Sequence, residues 1–461
     1  MITSSASTTA RLRPVFPLDS HLGERSREAG SPFLSAARVV LLATLLAAPW
    51  AFGAVQAWAW ASMAVLAVLS LFLWGMGCVQ QGALKLSWSP LYWPAFAFLL
   101  LAGVQLGVPL TFDQMGTRES LLKLITDLIF FFLAGQLFSA RVERGKAIRQ
   151  FGGAVTVFAF ALSLFAILQF LTSQGLIYWS VKSSGWIFGP YVNHNHYGGL
   201  MEMLIPISIA YFLSRSAQDP LRGILGFALL FPIASLLLSG SRGAFISLLV
   251  EVPILGWILI RRPATGGTSS RRSLATLSVL GILAAGSVFW WIDSGDVADR
   301  LASIIALNQT PEAGLGDRLV VARDSLRIIR DHPWLGTGLG SFEVAFPPYQ
   351  SRASDLLWDH AHNDYAEALA ETGLIGGFLV ISALILFFRL AFGHVGARLR
   401  HRAGWIQLGA AIGCCGLFVH SLVDFNLHIP ANAAWFGVCA AIAVLPYQLL
   451  EEPQHWVTEK V

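Results

Sequence analysis

The chain has 461 residues, 55% of them hydrophobic and 13% charged, with a mean hydropathy of +0.62. Soluble domains carry roughly 25% charged residues, so the composition excludes a soluble enzyme and points to an all-α polytopic membrane protein. The net charge of +4 names no partner by itself, and no nucleic-acid partner is expected.

Residues 1–35 are rich in Ser, Thr, Arg and Pro and read as a disordered cytoplasmic tail without a cleavable signal. Apolar runs of spanning length, about 17–25 residues each, then fall near 36–53, 57–78, 91–108, 119–139, 148–172, 195–214, 221–239, 243–260 and 274–292. Nine transmembrane helices are thus expected over 36–292. A large polar loop occupies 293–365, and three more spans near 366–388, 404–422 and 430–449 fill 366–450. Residues 451–461 form a second cytoplasmic tail. The fold class is therefore about twelve helices with one large outward loop that carries short helices of its own. The four cysteines (Cys78, Cys414, Cys415 and Cys439) lie inside apolar runs, so they read as small buried side chains and not as metal knuckles.

Orientation follows from the loop charges. With both termini in the cytoplasm, 21 of the 31 Lys and Arg residues fall on inner segments, whereas the loop 293–365 carries six arginines against eleven acids. Trp50, Trp58, Trp60, Trp179, Trp186, Trp290, Trp291 and Trp358 fall near outer helix ends and fit an interfacial aromatic belt.

Four outward segments hold polar residues that a bilayer scaffold does not need. Asn193, His194, Asn195 and His196 stand at the start of the sixth helix. Arg242 stands alone among small residues in Ser239-Gly240-Ser241-Arg242-Gly243, between two apolar helices. An arginine at depth costs about 2.5–3.5 kcal/mol or more on insertion scales, so it reads either as a snorkelling side chain or as a fork for a phosphate oxygen. In the loop, Asp317 to Asp331 reads as an amphipathic helix at headgroup level. Leu319, Ala322, Leu326 and Ile329 form its apolar stripe, with Arg323, Arg327 and Arg330 alongside and Arg318 near its start. The run Gly336 to Gly340 follows, and as a phosphate cradle it is a weak signal without a strand before it.

The segment Asp359-His360-Ala361-His362-Asn363-Asp364-Tyr365 precedes the tenth helix. Imidazole is the side chain suited to accept a proton near neutral pH, and neighbouring acids could orient it. His194, His196, His360 and His362 could instead form an all-imidazole metal site, although loop pairs two residues apart are poor ligand patterns. No metal and no cofactor is expected. His420, Asp424 and His428 close the eleventh helix on the same side.

Taken in order, these pieces resemble the O-antigen ligase and polymerase family. They are Gly-Pro-Tyr-Val-Asn-His-Asn from Gly189, Ser-Arg-Gly-Ala from Ser241, the Arg318 helix ending in Asp-His-Pro-Trp-Leu-Gly-Thr-Gly-Leu-Gly-Ser-Phe, His-Ala-His-Asn-Asp-Tyr from His360, and His-Ser-Leu-Val-Asp-Phe-Asn-Leu-His-Ile-Pro-Ala from His420. The resemblance spans about 185–440 and leaves the first helices unmatched. It implies a metal-independent, inverting glycosyltransferase of the bacterial inner membrane whose active face is periplasmic. The donor would be an undecaprenyl diphosphate-linked glycan and the acceptor a hydroxyl of lipid A-core or of a glycan. Membrane lipids would surround both. The implied base is His362, with His360 as the alternative. Arg242, Arg318, Arg323, Asn193, His194, Asn363 and Asp364 would bind diphosphate or glycan. The nearest rival activity is polymerisation in the same family; protein glycosylation, a lipid-linked sugar transporter and a non-catalytic assembly protein are the others.

Overall fold

A computed structural model describes residues 31–108, 110–139, 144–183, 185–216, 218–261, 315–352 and 358–447. The expected ninth helix, most of the first third of the loop, both tails, Trp290 and Trp291 lie outside the described residues. Among the described residues, helices are the regular structure, joined by isolated bridges at Ile177–Val181 and Phe188–Tyr191. In chain order the long helices are α1 (Pro32–Ala47), α2 (Ala57–Gln81), α3 (Tyr92–Gly107), α4 (Gln114–Leu137), α5 (Arg144–Thr172), α6 (His194–Leu213), α7 (Leu221–Ser239), α8 (Arg242–Ile260), α9 (Leu315–Asp331), α10 (Asp364–Phe392), α11 (Arg402–His420) and α12 (Pro430–Val444).

All the expected spans within the described residues form helices, and the protein is an all-α polytopic membrane protein. Eight of these helices are long and apolar enough to cross a bilayer; α3 and α12 are apolar but shorter. Boundaries shift by a few residues: α1 ends at Ala47 instead of near 53, and α4 starts at Gln114 instead of near 119. Asp113 caps α4 by accepting the Met115 N–H at 2.9 Å, and a Glu119–Lys123 pair at 2.7 Å one turn apart supports the helix.

Helices α6 and α11 form the centre. Gly409 and Gly413, one turn apart on α11, lie directly on the α6 backbone. A methyl group at Gly409 would sit 2.7 Å from the Pro206 carbonyl oxygen, and one at Gly413 would sit 2.7 Å from the Met203 Cα. Lipid gives apolar helices no hydrophobic reason to associate, so this close backbone approach is what allows dispersion contacts to hold the pair together. The α12 residue Trp435 fills the neighbouring space, stacking on Phe158 and donating its indole N–H to the Leu45 carbonyl at 2.9 Å. Outer helices present bare apolar faces: Val65, Val68 and Phe72 on α2, Ile224, Phe227 and Leu230 on α7, and Phe378, Ile381 and Ile385 on α10.

The two ends of the bundle differ. At one end the buried Arg398 donates to the carbonyls of Leu390, Ala443 and Leu445, closing the ends of α10 and α12. The starts of α6, α8, α10 and α12 and the end of α11 meet at the other end, together with the loop.

The glycine run of that loop makes a backbone crossing. α10 breaks at Gly373 (φ +64°), which frees the carbonyls of Ala370 and Glu371. The Thr337 and Gly338 N–H groups take them at 3.1 and 2.9 Å, while Leu374 donates to the Pro333 carbonyl at 2.7 Å. Gly336 has φ +66°, and a methyl there would fall 2.3 Å from the Glu371 carbonyl carbon; one at Gly373 would fall 2.4 Å from that of Trp334. Only two glycines let these strands cross so closely. Gln105 of α3 fixes the crossing by donating to the Leu335 and Glu371 carbonyls at 2.6 and 2.8 Å. The run is thus a joint between loop and bundle.

The loop helix expected over Asp317 to Asp331 forms as α9, and it packs on the loop through a face other than its leucine stripe. Val321 and Ile328 are buried against Phe342, Phe346, Trp358, Ala361 and Ala370. Leu319 and Leu326, members of the apolar stripe, are 59% and 55% exposed. Asp324 is buried and accepts the Ser351 N–H at 2.8 Å, which draws its own face of the helix into the loop.

Candidate functional site

The site is built on the short connection between α11 and α12. Its Asp424 is fully buried and has three cationic or potentially cationic neighbours: Arg318 at 3.4 Å, His362 Nδ1 at 3.7 Å and His196 Nε2 at 3.9 Å. The Phe425 N–H also donates to its Oδ1 at 2.9 Å. Burial by itself would raise this carboxyl group, but the imidazoles of His362 and His196 and the Arg318 guanidinium hold it well below the ordinary carboxylate range. An ionised carboxylate therefore stands behind the His362 ring.

His362 occupies the left-handed region at φ +49°, uncommon for a residue with a side chain and a conformation that clusters at functional sites. The strain follows from the local sequence. Asn363 must cap α10, accepting the Tyr365 and Ala366 N–H groups at 3.0 and 2.9 Å and donating to the Leu422 carbonyl at 2.9 Å. The backbone turns sharply just before that cap, so the ring is thrown back over Asp424. Phe425 and Trp358 touch it edge to face, with ring centroids 4.9 and 5.6 Å away. With Nδ1 directed at Asp424, Nε2 is the nitrogen left for a substrate proton.

His360 is held differently. Its Nδ1 lies 2.7 Å from Glu367 Oε1, and its ring stacks on Phe425 at 4.3 Å. Burial would lower its pKa, but the Glu367 carboxylate more than offsets this and raises it. His428 meets the same carboxylate oxygen at 3.2 Å and Asp364 at 2.9 Å. Both histidines are thus tied to carboxylates on the first turn of α10, and the geometry separates them from His362.

Arg242 opens α8 behind the Ser241 cap. It is exposed, and among the described residues nothing pairs with its guanidinium. Small neighbours bring it close to the site: a methyl at Gly243 would land 2.2 Å from His420 Nε2, and the His420 carbonyl accepts the Asp424 N–H at 3.1 Å. Arg242 and His362 therefore share one end of the bundle. Beneath them, within the bundle, Glu202 of α6 and His420 of α11 pair at 3.0 Å and are both fully buried.

Residues 227–381 match the family model for O-antigen ligase. The chain carries an O-antigen ligase family domain. A comparison with curated proteins finds no match. Members of this family are glycosyltransferase-like membrane enzymes that work on lipid-linked glycans and acceptors. The family segment contains Arg242, Arg318, Arg323, His360, His362, Asn363 and Asp364, whereas Asp424 and His428 lie beyond it.

Of the residues singled out in the sequence, Arg318, Arg242, His360, His362 and Asp364 lie at one end of the bundle. Arg318 is drawn onto Asp424 and the Val423 carbonyl, which its NH1 meets at 3.1 Å, so it is partly engaged within the protein. Arg323 is exposed on α9. Asn193 and Asn363 serve as helix caps; the Asn193 Oδ1 accepts the Asn195 N–H at 2.8 Å. His194 is buried and stacks on Trp186 at 4.5 Å. The four-imidazole metal set is not assembled, because His194 packs on Trp186 and His362 turns to Asp424. Trp186 stacks on His194, and Trp358 meets His362 edge to face.

Sequence reasoning missed Asp424, Glu367 and His196 as parts of one cluster. Asp424 lies 62 residues after His362, and the His420–Ala431 motif that contains it carries no sign of that partner. Glu367 sits in a helix opening as an unremarkable acid. The one available signal was that acids at a membrane helix end are costly without a partner.

Proposed function

We propose that the chain transfers a glycan from an undecaprenyl diphosphate donor to an acceptor hydroxyl, of lipid A-core or a related glycan, at the periplasmic face of the bacterial inner membrane. The observation that carries this reading is the line from Arg318 through Asp424 to His362, with Arg242 unpaired at the head of the adjoining α8.

His362 Nε2 takes the acceptor proton while Asp424 fixes the ring and stabilises the imidazolium that forms. The acceptor oxygen forms a new bond at the anomeric carbon as the bond from that carbon to the diphosphate oxygen breaks. The electron pair leaves on the diphosphate, and configuration at the carbon inverts. Arg242 grips the departing phosphate with its fork, and Arg318 adds a second positive charge. The exposed apolar side chains of α7, Leu230, Ile233 and Leu237, run along the helix that ends beside Arg242 and offer the polyprenyl tail a path. The step at His362 needs no metal ion, and the diphosphate linkage already supplies the driving force.

The experiment is transfer by purified protein in proteoliposomes from a lipid-linked donor. Arg242→Ala should lower kcat by ~10²–10³-fold, the loss that follows removal of one preorganised donor to a developing anion. Full activity in that variant would remove Arg242 from the site. Product length separates single transfer from polymerisation.

A further inference from the structure

We propose that His360, Glu367 and His428 form a binding site for a divalent cation that prefers nitrogen ligands, of the Zn²⁺ class, which clamps the loop before α10 to the connection before α12. The proposal goes beyond the transfer reading and does not rest on it, since neither His362 nor Arg242 is a ligand.

Three chain segments deliver the three groups: the loop ahead of α10, the first turn of α10 and the turn Asn426–His428. His360 Nδ1 stands 2.7 Å from Glu367 Oε1, His428 Nε2 stands 3.2 Å from the same oxygen, and the donor atoms all lie within 4.8 Å of one another. Ligands about 2.0–2.1 Å from a tetrahedral ion are spaced roughly 3.3 Å apart; both contacts to Glu367 are near that spacing, and a small inward shift of the two imidazoles would complete the corners. Two imidazoles and one carboxylate suit zinc; magnesium and calcium favour shells of oxygen.

The surroundings are those of a ligand set. Asp364 Oδ1 meets His428 Nδ1 at 2.9 Å, which turns Nε2 toward the shared point, the arrangement by which a carboxylate fixes the tautomer of a metal-binding histidine. Glu367 spends its other oxygen on the Ala361 N–H at 2.8 Å and keeps Oε1 for the site. Phe425 holds the His360 ring by stacking. Glu367 is buried, but the two imidazoles keep side-chain exposures of 26% and 29%. Protein therefore closes one side of the cluster and an ion can enter from the other, with a position left for water.

The test uses the full-length protein purified in detergent and stripped with chelator. Zn²⁺ alone is titrated calorimetrically, and Co²⁺ alone is followed by its visible spectrum. The expected result is saturable binding of one ion per chain and the intense bands of tetrahedral cobalt. Asp364→Asn should weaken binding by about 10–100-fold, and Glu367→Gln, which keeps the shape of the side chain, should abolish it. Wild-type protein that gives no tetrahedral cobalt spectrum overturns the proposal, whatever the variants do. Zn²⁺ binding that persists unchanged in Glu367→Gln also overturns it.

Discussion

Asp424 shows what a single buried charge can organise. It faces a guanidinium and two imidazoles, so its removal should be felt in both chemistry and folding. Asp424→Asn leaves Arg318 without its ion pair and His362 without its orienting carboxylate. We expect kcat to fall while KM for the lipid donor holds, and the thermal midpoint to drop, since breaking a buried pair costs about 3–5 kcal/mol. Wild-type kcat in a folded Asp424→Asn protein would exclude the orienting role. The sequence showed the charged residues but not their partners. His362 was legible because two histidines bracketed by acids stand before a helix, and Arg242 because it is isolated among small residues. Which histidine the acids serve depends on the αL turn at His362 and the cap at Asn363, and these long-range consequences have no local pattern.

Helices were legible where the apolar run and the helix coincide. Their boundaries moved where a cap extends the helix into polar sequence, as Asp113 does for α4. The face by which α9 packs on the loop was not legible, because Leu319 and Leu326 outrank Val321 and Ile328 in size, while the buried Asp324 decides the face. Membrane proteins weaken the usual inference that apolar means inward, because an exposed leucine at headgroup height has lipid to meet. The glycine run likewise looks the same in sequence whether it cradles phosphate or crosses a backbone. The crossing predicts that Gly336→Ala and Gly373→Ala each destabilise the protein by more than about 1 kcal/mol, as expected for a side chain forced to positive φ. Asn363→Ala should cost about 0.5–2 kcal/mol through loss of the α10 cap and should release the His362 turn with it. Thermal unfolding in detergent checks all three, and unchanged midpoints would refute the crossing and the cap as structural devices.

At the scale of the molecule, the starts of α6, α8, α10 and α12 bring residues from His194 to His428 to one end, and Arg398 closes the other. We propose, from the loop charges, that the site end faces the periplasm. That assignment predicts that a cysteine at the exposed Asp359 is labelled by a membrane-impermeant maleimide in spheroplasts, and that one at the exposed Arg261 is labelled only after permeabilisation. The native Cys414, Cys415 and Cys439 are buried, and the half-buried Cys78 is replaced by Ser in both variants to keep the background low. The reverse pattern would place the site on the cytoplasmic side and remove the lipid-linked periplasmic donor from the account.

The most direct measurement is the rate of glycan transfer by reconstituted His362→Ala beside wild type, with thermal unfolding recorded on the same preparations. Loss of the general base predicts a fall of ~10²–10⁴-fold in kcat at an unchanged unfolding midpoint. A folded His362→Ala protein that transfers glycan at the wild-type rate would contradict the assignment of the base and the mechanism built on it.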